Sequence, residues 1–212
     1  NRDEHKLQRL LNERSRIIKK AQNKELQLIR EIKNDRTKFV NSVVYCGAGK
    51  TNLKEEQSIL HFVTRALYKY GRLRVSSYTS KTEKRDEVLA QFENNFYDTL
   101  VAIKCFDQGV DVPKLEKIHL MASDSIKRQT VQRRGRVLRK CAETGKNMAY
   151  IYDYIVIPPS NLQYEKTMST LVKNELLRVE EYVRLANNRD EIRRIIAKCQ
   201  EKYLIYYEDE NE

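Results

Sequence analysis

Five short apolar runs, at 39–46, 73–78, 99–104, 117–121 and 148–157, alternate with stretches of helical periodicity at 55–70, 83–92 and 128–139. This alternation predicts an α/β fold, a parallel sheet sandwiched by helices, because parallel neighbours need a long crossover and that crossover is usually a helix. The run Thr99-Leu100-Val101-Ala102-Ile103-Lys104-Cys105 has no polar face, as expected of a strand buried on both sides. Ahead of the first strand, Leu7, Leu10, Leu11, Ile17, Ile18, Leu26, Ile29 and Ile32 mark one or two amphipathic helices. Pro158-Pro159-Ser160 ends the sheet region, and long helical patterning follows from 162 to 197. The expected organisation is a helical segment at 1–38, an α/β unit at 39–160 and a helical extension at 161–212 with an acidic tail.

Length and charge narrow the function. With 212 residues and 40% hydrophobic content the chain can bury one full core plus helical additions. Lys and Arg number 41 against 30 Asp and Glu, a net charge of +11 that favours a polyanionic partner, nucleic acid first among them. Cysteines at 46, 105, 141 and 199 form no C-x-x-C pair and have no histidine set beside them, which argues against zinc and leaves no metal site expected. No signal peptide or membrane-spanning run is evident, so a cytoplasmic protein without a membrane partner is expected. The chain starts at Asn1 rather than Met, which suggests a piece of a longer protein.

Two blocks carry chemistry. On a helix of ~100° per residue, Gln132, Arg136 and Arg139 fall on one side of the block Gln132-Arg133-Arg134-Gly135-Arg136-Val137-Leu138-Arg139. No acidic residue occurs from 125 to 140, so the two guanidiniums and the amide face an external anion better than an internal carboxylate. Guanidinium forks match a multiply charged phosphate. Upstream, the apolar run 99–105 enters Phe106-Asp107-Gln108-Gly109-Val110-Asp111-Val112-Pro113. Gly109 supplies unusual backbone angles, Pro113 blocks continuation, and Asp111 leaves a carboxylate where open α/β sheets place ligands.

In these two blocks the sequence closely resembles the second RecA-like lobe of superfamily 2 helicases and translocases. The 107–113 loop is similar to helicase motif V and 132–139 to motif VI, the Q-x-x-G-R-x-x-R block. The resemblance covers roughly 39–157 and is to the restriction-type, DEAD/DEAH-like branch, and the flanking helices are similar to those of restriction-type translocation subunits and the transcription-repair helicase. It implies that Arg136 and Arg139 are arginine fingers for ATP held with Mg2+ mainly by a first lobe of the same polypeptide. Gln132 is implied to couple phosphate sensing to closure. Gly109 and Asp111 are implied to lie near the ribose and phosphates, and Lys104 and Cys105 near nucleic acid. The family often has Thr where Cys105 stands, so a hydroxyl contact to phosphate is not available there. The strand end and helix start at 77–85 make Thr79, Ser80, Lys81 and Arg85 further implied contacts to a sugar-phosphate backbone. DNA is the implied track, with RNA also open. The Walker A and D-E-x-[DH] blocks of the first lobe are absent from these residues, so this piece is expected to be incomplete for hydrolysis.

Several readings stay open. Capping and solvation alone would also explain 79–85, with the Thr82 hydroxyl expected to start the following helix. Phe92, at helical spacing with Val88 and Leu89, reads as core, and the 13 tyrosines are scattered rather than gathered into a reading surface. Gly47-Ala48-Gly49-Lys50-Thr51 ends like a phosphate loop, but G-x-x-x-x-G-K-[ST] needs glycine at 44, where Val44 stands. A small-molecule P-loop enzyme using Gly49-Lys50-Thr51 and a non-catalytic nucleic-acid binding module are the alternatives to a motor lobe.

Overall fold

The computed structural model describes residues 5–6, 9, 21–50, 58–103, 112–122, 145–159 and 166–203. Its centre is β1 (Ser42–Tyr45), a strand buried at all four positions. Around it stand β2 (Val75–Tyr78), β3 (Thr99–Ala102), β4 (Lys117–Leu120) and β5 (Tyr150–Asp153). All pair in parallel in the order β2-β3-β1-β4-β5, with Ser42 opposite both Thr99 and Lys117. The apolar strands β1 and β3 occupy the interior of the sheet, while Val75-Ser76-Ser77-Tyr78 and Tyr150-Ile151-Tyr152-Asp153, with polar groups to solvate, lie at its edges.

Side chains alternate across the sheet with period two, and the two faces carry different cores. Val43, Tyr45, Leu100, Ala102, Ile118 and Leu120 pack on one face with Phe92, Val88 and Leu89 of α3 (Arg85–Glu93). Val44, Cys46, Val101 and Met121 pack on the other with α1 (Gln22–Asn34) and α2 (Ile59–Gly71). Right-handed crossovers dictate this division: β1 to β2 runs one way along the sheet and β2 to β3 runs back, so their helices lie on opposite faces.

Ser58 starts α2, its Oγ accepting from the His61 amide at 3.1 Å. Phe62, Val63, Ala66 and Leu67 face the sheet. At the other end Gly71 is required, since a Cβ there would stand 2.9 Å from Leu73 Cδ1 and 3.1 Å from Ile32 Cγ2. Arg72 then leaves the helix with φ of 50°. The first strand is shorter than the sequence predicts: Arg36–Phe39 forms a 3-10 turn, because the Asp35 carboxylate accepts from both the Thr37 amide and its hydroxyl.

Contacts divide the chain into a unit ending at Tyr154 and a second beginning at Ile155. In the first, α1 belongs to the core, with Leu28 and Ile32 packed among the α2 and sheet residues. In the second, α4 (Lys166–Val183) and α5 (Arg189–Lys202) bury Val172, Leu176, Val179, Val183, Ile196 and Tyr203. Within the helical pattern read from 162 to 197, the described residues form these two helices. Leu185 and Ala186 donate back to Tyr182 and Val183 in a closing turn, and Asn187-Asn188, poor helix formers, separate the helices. Glu175 holds this unit together, pairing with Arg178 at 3.0 Å and accepting from the Val156 amide at 3.1 Å.

Candidate functional site

All five strands point the same way, so their carboxyl ends share one edge. From β1 the chain departs toward β2, whereas from β3 it passes to the far side of β1 to form β4 and then β5. The switch falls between β1 and β4, the position at which open α/β sheets form a ligand crevice. There the Tyr45 carbonyl accepts from the Met121 amide at 3.0 Å and the Ala122 amide at 3.1 Å, and the Cys46 amide donates to Ala102 at 3.0 Å. Lys24, only 6% exposed, reaches from α1 and donates from Nζ to the Met121 carbonyl at 2.8 Å. Its neighbour Glu25 is also buried, and its Oε2 has no hydrogen-bond partner. Burial pushes that carboxyl above the ordinary carboxylate range. The sequence reading did not single out this pair; nothing in a helix pattern distinguishes a buried lysine from a solvated one.

At the carboxyl end of β2 the structure gathers Thr79, Ser80, Lys81 and Arg85. The Thr82 oxygen accepts from the Thr79 amide at 2.8 Å and donates to the Ser77 carbonyl at 3.3 Å, and Thr79 Oγ1 accepts from the Lys81 amide at 3.1 Å. Thr82 therefore ties the loop shut and does not cap a helix. The helix α3 begins instead at Arg85, after Lys84 with φ of 50° and no side-chain cap, and its Asp86 and Glu87 favour the positive helix end. Ser80 and Lys81 are exposed, while Arg85 is half-buried with its guanidinium 5.9 Å from the Tyr78 ring centre. The loop thus fixes the Thr79 hydroxyl and offers Ser80 and Lys81 to solvent.

Lys104, Cys105, Gly109, Asp111, Gln132, Arg136 and Arg139 lie outside the described residues. So does the helix expected at 128–139. Beyond the 104–111 stretch, the chain re-enters through a turn in which Leu115 donates to the Val112 carbonyl at 3.0 Å and Lys146 Nζ donates to the Pro113 carbonyl at 3.2 Å.

The described residues 47–50 take a bridged geometry rather than that of a phosphate cradle. Such a cradle runs from its lysine directly into a helix whose free amides bind phosphate. Here α2 begins at Ile59, Lys50 forms an antiparallel bridge with Ser58, and the Gly49 carbonyl accepts from the Ile59 amide at 2.9 Å. Gly49 takes φ of 130°, which glycine adopts without strain.

His119 gave no signal in sequence, yet it organises the packing under β4. Its ring is stacked between Phe39 and Tyr152, Nε2 lies 3.0 Å from the Lys38 carbonyl, and Nδ1 lies 3.3 Å from the Tyr154 hydroxyl. A neutral ring satisfies both, Nε2–H donating and Nδ1 accepting. Burial pushes its pKa down to about 3. Among the described residues no three His, Cys, Asp or Glu side chains gather as a metal set, and no helix is long and apolar enough to cross a membrane.

The family model described as the helicase conserved C-terminal domain matches residues 23–141, more than half of the chain. The chain belongs to that family. Its five-stranded parallel sheet is the RecA-like C-terminal lobe found in superfamily 2 helicases and translocases. This helicase lobe is 41% identical over 66 residues to the DNA 3'-5' translocase XPB2 of Sulfurisphaera tokodaii, an alignment covering 31% of the chain and 15% of that relative. The solved yeast DEAD-box splicing factor Prp28 superposes with a TM-score of 0.55 at 13% identity, over 89% of the chain and 36% of that protein. The ATP-dependent Type ISP restriction-modification enzyme LlaBIII, solved bound to DNA, gives 0.48 at 16% identity, over 73% of the chain and 12% of its own. The helicase lobe thus spans well under two thirds of these relatives.

Proposed function

We propose that this lobe is the second half of an ATP-dependent DNA motor, a translocase or helicase, that closes on ATP bound by a first lobe. One observation carries the reading: the family match runs through both the 104–113 and the 132–139 blocks. The described sheet supports it by presenting one shared edge from which such blocks can act. Arg136 and Arg139 supply guanidinium forks to the phosphates, and Gln132 links that contact to closure. Phosphoryl transfer is accelerated mainly by positioning and charge stabilisation, so two such forks suffice as this lobe's chemical contribution. Gly109 and Asp111 lie against the nucleotide. Thr79, Ser80, Lys81, Arg85, Lys104 and Cys105 hold the backbone of one strand.

ATP with Mg2+ is held mainly by the first lobe, where the metal neutralises developing phosphate charge. The residues here fit that division: guanidinium and amide groups bind phosphate oxygens, not a divalent cation. The relation to a DNA translocase favours DNA over RNA as the track. The 47–50 geometry weighs against the small-molecule P-loop reading. The test is ATP hydrolysis by the full-length protein with Arg139→Ala. We expect turnover to fall about a hundredfold or more with ATP affinity changed severalfold at most, as for loss of an arginine finger. Unchanged turnover overturns the assignment.

A further inference from the structure

The outward stripe of α2 carries His61, Arg65, Tyr68 and Lys69, at the i, i+4, i+7 and i+8 spacing of a single helix side, and the exposed Arg72 follows where the chain leaves the helix. The opposite side, with Phe62, Val63, Ala66 and Leu67, is spent on the core. From Ser58 to Thr82 the chain has no aspartate or glutamate at all. Because α2 runs back against the strands, the stripe ends at the amino edge of the sheet, the opposite edge from Thr79 and Lys81. There Arg65, Tyr68, Lys69, Arg72, Leu73 and Arg74 line an open hollow of about 590 Å³.

The hollow has features that solvation alone does not explain. Tyr68 is 71% exposed, so most of the side chain stands in water. A second tyrosine, Tyr70, has the Lys69 ammonium 5.4 Å and the Lys33 ammonium 4.8 Å from its ring centre, so the lining residue Lys69 shares an aromatic ring with a second cation. The nearby carboxylate of Asp98 is already taken by Arg74, accepting from Nε at 3.2 Å and from Nη2 toward its other oxygen at 2.7 Å. Clustered cations around an exposed aromatic ring match phosphates that alternate with bases able to stack. An acidic protein is a poorer occupant, since a stable protein interface needs a large apolar centre and Tyr68 is the one large exposed apolar side chain in the stripe.

We propose that this α2 hollow is a second nucleic-acid site, binding unpaired nucleotides by stacking a base on Tyr68 and pairing phosphates with Lys69 and Arg72. It rests on the nucleic-acid part of the reading above but not on the arginine fingers, and it lies away from the carboxyl edge that motor contacts would use.

Fluorescence anisotropy with a labelled single-stranded DNA of about 15 nucleotides, near the reach of a single-strand binding module, tests it on the 212-residue chain. Lys69→Glu with Arg72→Glu should weaken binding at least tenfold and flatten the salt dependence between about 50 and 200 mM. Tyr68→Ala should weaken it about fivefold or more and Tyr68→Phe very little, while a duplex of the same sequence should not respond to Tyr68→Ala. Arg193→Glu with Arg194→Glu, on α5, controls for net charge. Equal losses in patch and control variants, or Tyr68→Ala binding like the parent with circular dichroism unchanged, overturn the second site and leave the motor reading standing. A parent chain that binds no oligonucleotide also overturns the second site, whereas the motor reading stands or falls on the Arg139→Ala turnover.

Discussion

The rings of Phe39 and His119 lie face to face, centroids 4.1 Å apart and planes within 11°. Tyr152 covers the other side of the imidazole at 4.5 Å, so the ring cannot be hydrated or charged without opening the stack. Its folded pKa of about 3 lies below the ordinary 6.5. The unfolded chain therefore takes up a proton near pH 6.5 that the folded chain refuses. The associated stability is complete above that pH and is lost as pH falls toward 3, at ~1.4 kcal/mol per pH unit. From neutral pH to about pH 5 the loss should be on the order of 2 kcal/mol. Asp98 and Asp35, whose carboxyls are lowered by Arg74 and Thr37, act in the same direction but only near and below their ordinary 3.8. Urea midpoints across this range measure the slope, and His119→Gln should flatten it; an equally steep variant would assign the loss to other groups.

Glu25 has the opposite sign. Its folded pKa is raised by burial, so stability associated with it is present below 4.5 and is lost as pH rises through the folded value. Glu25→Gln keeps the shape and removes the buried charge. Because burial disfavours the carboxylate and the amide carries no charge, the variant should melt higher at neutral pH, and the gain should shrink by about pH 4. A lower melting temperature at neutral pH would mean that the carboxylate has a stabilising partner.

How much of this was legible in the sequence depends on whether the cause was local. The central strands were legible because a parallel strand buried on both faces reads as an unbroken apolar run, as at Val43-Val44-Tyr45 and Leu100-Val101-Ala102. Their ends were not: residues 39–41 leave the strand because of an Asp35 cap, and α3 starts late because Thr82 bonds to Thr79 and Ser77 instead of to helix amides. His119 depended on rings from Phe39 and Tyr152, distant in sequence, which no periodicity reveals. Of the candidate site, the grouping of Thr79, Ser80, Lys81 and Arg85 followed from their proximity in the chain. The gathering of Tyr68, Lys69 and Arg72 around a hollow, among tyrosines that look scattered, required the helix to be oriented by its core.

Gly71→Ala sets two terms against each other. Alanine gains about 1 kcal/mol of helix propensity over glycine. Its Cβ, however, would stand 2.9 Å from Leu73 Cδ1 and 3.1 Å from Ile32 Cγ2, both side chains fully buried. Overpacking of that kind costs ~1–3 kcal/mol, and neighbours held on two sides have little room to yield. We expect a net destabilisation of about 1 kcal/mol by urea unfolding. A stabilised variant would show that Leu73 repacks freely.

The loop after β2 separates charge from geometry in DNA binding. Lys81 is exposed and reaches solvent, so if it neutralises a phosphate, Lys81→Ala should lower the slope of log affinity against log salt by about 0.9 on duplex DNA. Thr82 does something else: its oxygen accepts from the Thr79 amide at 2.8 Å and fixes the turn that presents Ser80 and Lys81. Thr82→Val preserves volume and removes that bond, leaving the cation count intact. It should weaken DNA binding severalfold at every salt concentration with the slope unchanged, read in parallel titrations of the two variants. If Thr82→Val changes the slope, or Lys81→Ala does not, the loop does not hold a phosphate in the way the fold arranges it.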